Sequence, residues 1–280
     1  ITSGDTGEAT VTSTLTFTSA NWDTAQTVTV AGVDESIIDG DQTSTITVTI
    51  DDANSDNNFD SVADQTISAT TTDDDVPGFT IVESDGSTSV DESGTTDTFT
   101  IVLDAQPASD VVLTISSNDT GETTTTGTLT FTSANWDTAQ TVTVTGADDF
   151  ILDGNQSSVI TISIIDAISD NSFDSVADQT VSATTTDDDV AGFTIVESDG
   201  STEVAESGTT DTFTVVLDAQ PASDVVLTIT SDDTGEATVT STLTFTSANW
   251  DTAQTITVTG VDDDLIDGDI VSTVTVVVDD

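Results

Sequence analysis

Two runs of three aspartates, Asp73, Asp74, Asp75 and Asp187, Asp188, Asp189, are the residues best suited to chemistry in this chain. They sit in matching contexts, TTTDDDVPGFTIVESDGST at 70–88 and TTTDDDVAGFTIVESDGST at 184–202, each between one alternating apolar stretch and the next. Adjacent carboxylates repel one another. Lys, Arg and His are all absent, so the balancing cation has to come from solution. Cys is absent too, which leaves none of the ligands that zinc and copper prefer. Ca²⁺ takes six to eight oxygens from flexible acidic loops, whereas Mg²⁺ keeps its waters and takes few protein ligands. Ca²⁺ is therefore the expected cofactor.

The 280 residues include 53 acids and carry a formal charge of −53. A charge of that size ordinarily means disorder. Against it stands a regular alternation of Val, Ile, Leu and Phe with Thr, the mark of strands. With neither disulfides nor lysine crosslinks available, metal is the staple left for small β units. Nucleic acid is excluded as a partner, because no basic residue can neutralise a phosphate. An anionic membrane surface would repel the chain, and no apolar run approaches the ~18 residues of a spanning helix. Nucleophilic catalysis needs a base beside the nucleophile, and none of the common activators is present. Paired carboxylates can hydrolyse glycosides, but here the pairs recur in every unit at a linker, not in a cleft. No enzyme activity is expected.

The segment TLTFTSANWDTAQT occurs three times, with Trp22, Trp136 and Trp250 each 114 residues after the last. That period is too long for a solenoid coil and suits one small sandwich. The expected organisation is a partial repeat at 1–76, a complete one at 77–190 and a partial one at 191–280. The chain begins within a strand, as a piece of something longer would. In the middle unit, strands are expected at 79–82 continuing past the Asp85-Gly86 turn to about 91, and at 97–103, 111–116, 124–132, 140–145, 159–165 and 180–186. Seven or eight short strands with turn signals between them predict an all-β fold of tandem immunoglobulin-like Greek-key β-sandwiches. The two Phe and one Trp of each copy are expected to anchor its core.

Antiparallel strands sort their loops to two poles. One pole of the middle unit collects Glu92, Asp119, Asp148, Asp149, Asp153, Asp187, Asp188 and Asp189 from four separate segments. At the other pole, the loop 166–178 has oxygen-rich spacing in Asp170, Asn171 and Asp174 but reads better as a polar loop pinned by Phe173.

This constellation resembles the Calx-beta domain, which recurs in long arrays in bacterial surface proteins of the adhesin type. The resemblance covers the whole chain, and the stretch SANWDTAQTVTVTG is similar to the bacterial array version. It implies a calcium set of one Glu near the first strand, an Asp in a hairpin loop, an Asp-Asp run ending in an acid, and the terminal triplet. In the middle unit these fall on Glu92, Asp119, Asp148, Asp149, Asp153 and Asp187 to Asp189. In the third they fall on Glu206, Asp233, Asp262, Asp263 and Asp267. In the first they fall on Asp5, Asp34, Glu35, Asp39, Asp73, Asp74 and Asp75. A later acid, Asp41 and Asp269 in the outer units, is Asn155 in the middle one, which predicts weaker or fewer ions there.

The expected function is an extracellular or cell-surface structural array, a stalk or fibre whose junctions calcium stiffens, with a self-assembled filament as a variant. Its partners would be other copies of the repeat. A calcium-dependent module binding a surface glycan or protein is the alternative, but near-identical copies suit spacing better than recognition. An ice-binding face is disfavoured, because a 114-residue period gives no long flat array.

Overall fold

The computed structural model describes every residue except Asp267 and Asp280. Its strands are short, and two 3-10 turns, at Asp166–Ile168 and Asn171–Phe173, interrupt the loop before the last strand of the middle unit. The first unit contributes β1 (Thr2–Ser3), β2 (Ala9–Val11), β3 (Val30–Gly32), β4 (Gln42–Val48) and β5 (Gln65–Thr71). The middle unit contributes β6 (Phe79–Glu83), β7 (Thr88–Asp91), β8 (Thr96–Leu103), β9 (Val111–Ser117), β10 (Thr123–Thr125), β11 (Thr128–Phe131), β12 (Gln140–Gly146), β13 (Gln156–Ile164) and β14 (Gln179–Thr186). The third contributes β15 (Phe193–Glu197), β16 (Thr210–Leu217), β17 (Val225–Ser231), β18 (Ala237–Val239), β19 (Thr242–Phe245), β20 (Gln254–Gly260) and β21 (Val274–Val278).

The middle unit is a two-sheet sandwich, ordered β10-β12-β8-β6 in one sheet and β11-β9-β13-β14-β7 in the other. Alternation along each strand places one face inward. Phe99, Ile101, Val142 and Val144 meet Leu113, Ile115, Phe131, Ile160, Ile162 and Ala183, all buried, with Phe173 closing one end. Each fully buried Phe contributes about 1.5–3 kcal/mol. The fold is thus all-β, in tandem Greek-key sandwiches.

Two expected strands divide. The chain turns at 84–87 and passes from β6 in one sheet to β7 in the other, where β7 pairs β14 in parallel. The stretch at 124–132 splits at Thr126 and Gly127, so that β10 pairs β12 while β11 pairs β9. The backbone stays bonded through that switch: Thr126 N donates to Thr143 O and Ile115 N donates to Gly127 O. Hydrophobic alternation is blind to a change of sheet, because the inward face remains inward.

The aromatic anchor holds in two of the three units. Trp136 and Trp250 pack against their cores, whereas Trp22 is 71% exposed and Phe17 is exposed as well. In the first unit the second sheet holds only β2 and β3, the positions of β6 and β8 falling ahead of Ile1, and those rings are uncovered.

Successive units touch. The linker residue Gly78 accepts a hydrogen bond from Asp104 N at 3.0 Å, and a Cβ there would run into the Asp104 carboxylate. The loop tip at Ser36, Ile37 and Ile38 lies on the loop at Gln106, with Ile37 and Gln106 in a parallel bridge and Ile38 packed on the middle core. The next unit repeats the contact through Phe150, Ile151 and Gln220. The loop 166–178 is pinned as a polar loop: Asp170 accepts from Ser109 N at 2.7 Å, and Phe173 is buried.

Candidate metal centre

The parallel pairing of β7 with β14 builds the site. Asp91 lies opposite Thr186, and Glu92 N donates to Thr186 O at 3.1 Å, so Glu92 lands beside the start of the aspartate triplet. Close packing on the other side fixes it. Gly146, at the end of β12, faces Asp91 so closely that any Cβ would collide with the Asp91 carbonyl. The turn before β10 brings in Glu122: Asp119 Oδ1 accepts from Gly121 N at 3.1 Å, and Glu122 O accepts from Ala147 N at 2.8 Å.

Two groups of carboxylates result. Glu92, Asp149 and Asp189 each place an oxygen within 4.8 Å of the others, and so do Glu92, Glu122 and Asp153. Ca–O distances of about 2.3–2.6 Å allow oxygens at that separation to surround one ion. Glu92 belongs to both groups. It is 1% exposed, and neither of its oxygens has a hydrogen-bond partner. One oxygen each of Glu122 and Asp189 is buried and unpartnered too. A buried carboxylate without donors is costly, and no side chain in this sequence offers a cation. Burial, then the charges of Asp187, Asp149, Glu122 and Asp153, pushes the Glu92 carboxyl up to about 7. Burial, followed by neighbouring carboxylates, also raises Glu122 and Asp189. All-oxygen, all-anionic donors of this kind fit Ca²⁺.

The other predicted residues frame these groups. Asp187 is a clamp: Oδ2 accepts from Gly154 N at 2.7 Å and Oδ1 from Asp189 N at 2.8 Å, tying the acidic loop to the end of β14. Gly154 takes φ +75, a backbone conformation suited to glycine. Asp148 and Asp188 add charge beside Asp189. Asp119 shapes its turn and lies outside both groups.

In the first unit, Glu8, Glu35 and Asp39 form the equivalent group. Asp73 is the clamp, accepting from Gly40 N at 2.7 Å, Asp39 N at 3.1 Å and Asp75 N at 2.9 Å, and these backbone donors hold its carboxyl below the usual range. Asp41 accepts from Asp73 N at 3.3 Å, at the position where the middle unit has Asn155. Burial, with charge from Asp73, Asp74, Asp34 and Asp39, raises Asp75. In the third unit, Asp233 makes the same turn as Asp119. Asp263 accepts from Leu265 N at 2.7 Å, with Asp262 beside it. Glu206 is exposed, and Asp267 lies outside the described residues.

Glu8 and Glu122 went unread in the sequence. The signal was present: Asp-Thr-Gly-Glu stands at 5–8, 119–122 and 233–236, and its Asp is the turn former that delivers the Glu.

No family model matches the chain, and no curated protein matches it. Among solved structures, it is similar to the crystal structure of CBD12 from CALX1.2, at 15% identity over 70% of this chain and 79% of that one, TM-score 0.30. It is similar to the apo-form Calx CBD1 domain at 13% identity over 40% of this chain and 98% of that one, TM-score 0.29. It is also similar to domains 4 and 5 of the S-layer protein SbsC at 18% identity over 57% of this chain and 62% of that one, TM-score 0.31. Likenesses this distant add nothing to what the sheets themselves establish. Among the described residues, no helix is long and apolar enough to cross a membrane.

Proposed function

We propose that this chain is a segment of an extracellular, cell-surface structural array of Calx-beta-like repeats, divided at 1–76, 77–190 and 191–280, whose junctions are stiffened by Ca²⁺. The observation that supports this reading most is Glu92, fully buried, with both oxygens unpartnered and shared by two carboxylate groups. Two ions bridged by Glu92 would satisfy Asp149, Asp189, Glu122 and Asp153 together. Asp187 would then lock the ion-bearing loop to the strand that leads into the next unit. The chain's role is to bind and to hold a direction. Its partners are other copies of the repeat, on the same or neighbouring chains.

Small-angle scattering of the full chain tests the reading. A narrow distribution of inter-unit distances with Ca²⁺ and a broad one in chelator is the expected result. Equal breadth in both conditions overturns the stiffening role.

A further inference from the structure

The loop that carries the acids has a second face. Asp149 Oδ1 accepts from Ile151 N at 2.7 Å, a turn that leaves the carboxylate on the cluster side and carries the tip at Phe150, Ile151 and Leu152 the other way. The tip rests on the following unit. Gln220 N donates to Phe150 O at 2.6 Å, Ile151 and Gln220 form a parallel bridge, and the Phe150 ring lies 5.6 Å from that of Trp250 at 43°. At the preceding junction Gln106 N donates to Ser36 O at 2.6 Å, and Ile38 N donates back to Gln106 O.

The receiving loop is the same at both junctions, Asp-Ala-Gln-Pro at 104–107 and at 218–221. Ala105 and Ala219 are buried beneath it. The Gln106 side chain is held by Ser133 O at 2.9 Å and the Gln220 side chain by Ser247 O at 3.3 Å, which leaves each glutamine backbone free to pair outward. The tips, by contrast, differ: Ser-Ile-Ile, Phe-Ile-Leu and Asp-Leu-Ile. In the third copy Leu265 is 67% exposed and Ile266 is fully exposed.

We propose that tip and receiving loop are a matched tongue and socket, a binding surface by which each repeat takes another copy of the same repeat in one orientation, and that Leu265 and Ile266 present that tongue to a further copy. The occupant is identified by the two seated examples. The pairing is made by backbone, which accepts variable tips, and the apolar tips add partial cover: Ile38 packs on the middle core, while Phe150 and Ile151 stay 55% and 36% exposed with one edge against the socket. The seating contacts at Gln106 and Gln220 lie outside the carboxylate groups, although Asp149, which shapes the second tip, belongs to one of them.

Amide hydrogen exchange on the full chain tests it. Gln106 and Gln220 should both exchange slowly. Ile38→Asp should speed Gln106 about tenfold or more while Gln220 is unmoved. Phe150→Asp should do the reverse, and slow amides in β8 and β12 report that the sandwich remains folded. If either substitution leaves its own glutamine unchanged, the tongue is overturned. A second arm adds excess 77–190 unit, which closes both sheets and its core from its own residues apart from Ile38. Its free socket should shift the Leu265 and Ile266 amide signals of the labelled chain. The absence of a shift overturns the assignment to a further copy.

Discussion

The first and middle units share their acids apart from Glu92, whose position in the first unit falls ahead of Ile1. Glu8, Glu35 and Asp39 lie near the surface, while Glu92 and Glu122 are 1% and 7% exposed. Within this chain, the middle unit alone has the strand that covers its acids. In the middle unit β7 runs parallel to β14 and brings Glu92 down beside the triplet. In the third unit the position of β14 falls past residue 280; no strand is assigned at 202–205, and Glu206, in the position of Glu92, is exposed. Where β7 and β14 are both present, their pairing buries the site.

The largest expected effect follows from Glu92. Its replacement by Gln should abolish most of the calcium-induced stabilisation of the middle unit, a gain of about 2.7 kcal/mol at a hundredfold excess of ion over Kd. Calorimetry with Ca²⁺ and with chelator checks this. An unchanged melting response would separate burial from ion binding and break the comparison.

Gly146→Ala should destabilise by about 1–3 kcal/mol, because its Cβ would collide with the Asp91 carbonyl and push β7 away. Gly32→Ala, at the same position in the first unit, meets only a Thr71 methyl at 3.5 Å and should be near neutral. Denaturant titration of both variants measures the contrast. Equal losses would mean that strand closure is not what distinguishes the units.

Acidity gives a third test. Below about pH 4.5 Glu92 holds its proton whether folded or not; between there and about 7 only the folded form does. The ion-free protein should therefore lose stability as pH rises through that interval and level off above it. Protons and Ca²⁺ compete for the same oxygens, so the calcium-induced rise in Tm should grow over the same interval. A flat ion-free profile would place Glu92 in water.

The smallest contrast is between two substitutions. Asp149→Asn should weaken the calcium response of the middle unit, while Asp110→Asn, at the opposite pole, should leave it unchanged. Isothermal titration with Ca²⁺ reads both, and equal effects would make the response a matter of general charge.

The strands were legible because Thr and apolar residues alternate, as in Phe99, Ile101 and Leu103, and the gathering of acids was legible because loops sort by strand direction. The sheet changes at 84–87 and at Thr126 and Gly127 were not, since the apolar period carries through them unbroken. The ligand candidate Asp119 also has a turn role that its spacing hides: its Oδ1 accepts from Gly121 N in the turn that delivers Glu122. An Asp two residues before a Gly serves its own backbone as readily as a metal, so the residue type alone does not reveal the turn. The clamp role of Asp187 was equally hidden, because it depends on Gly154, 33 residues earlier, reaching the end of β14.

The unvarying Asp-Ala-Gln-Pro loop has a consequence for inheritance. Because each socket pairs through its backbone, a gene that gains or loses one whole 114-residue unit by recombination still encodes a compatible tongue and socket at every boundary. Copy number can then drift, and the reach of the molecule with it, without any new interface having to evolve.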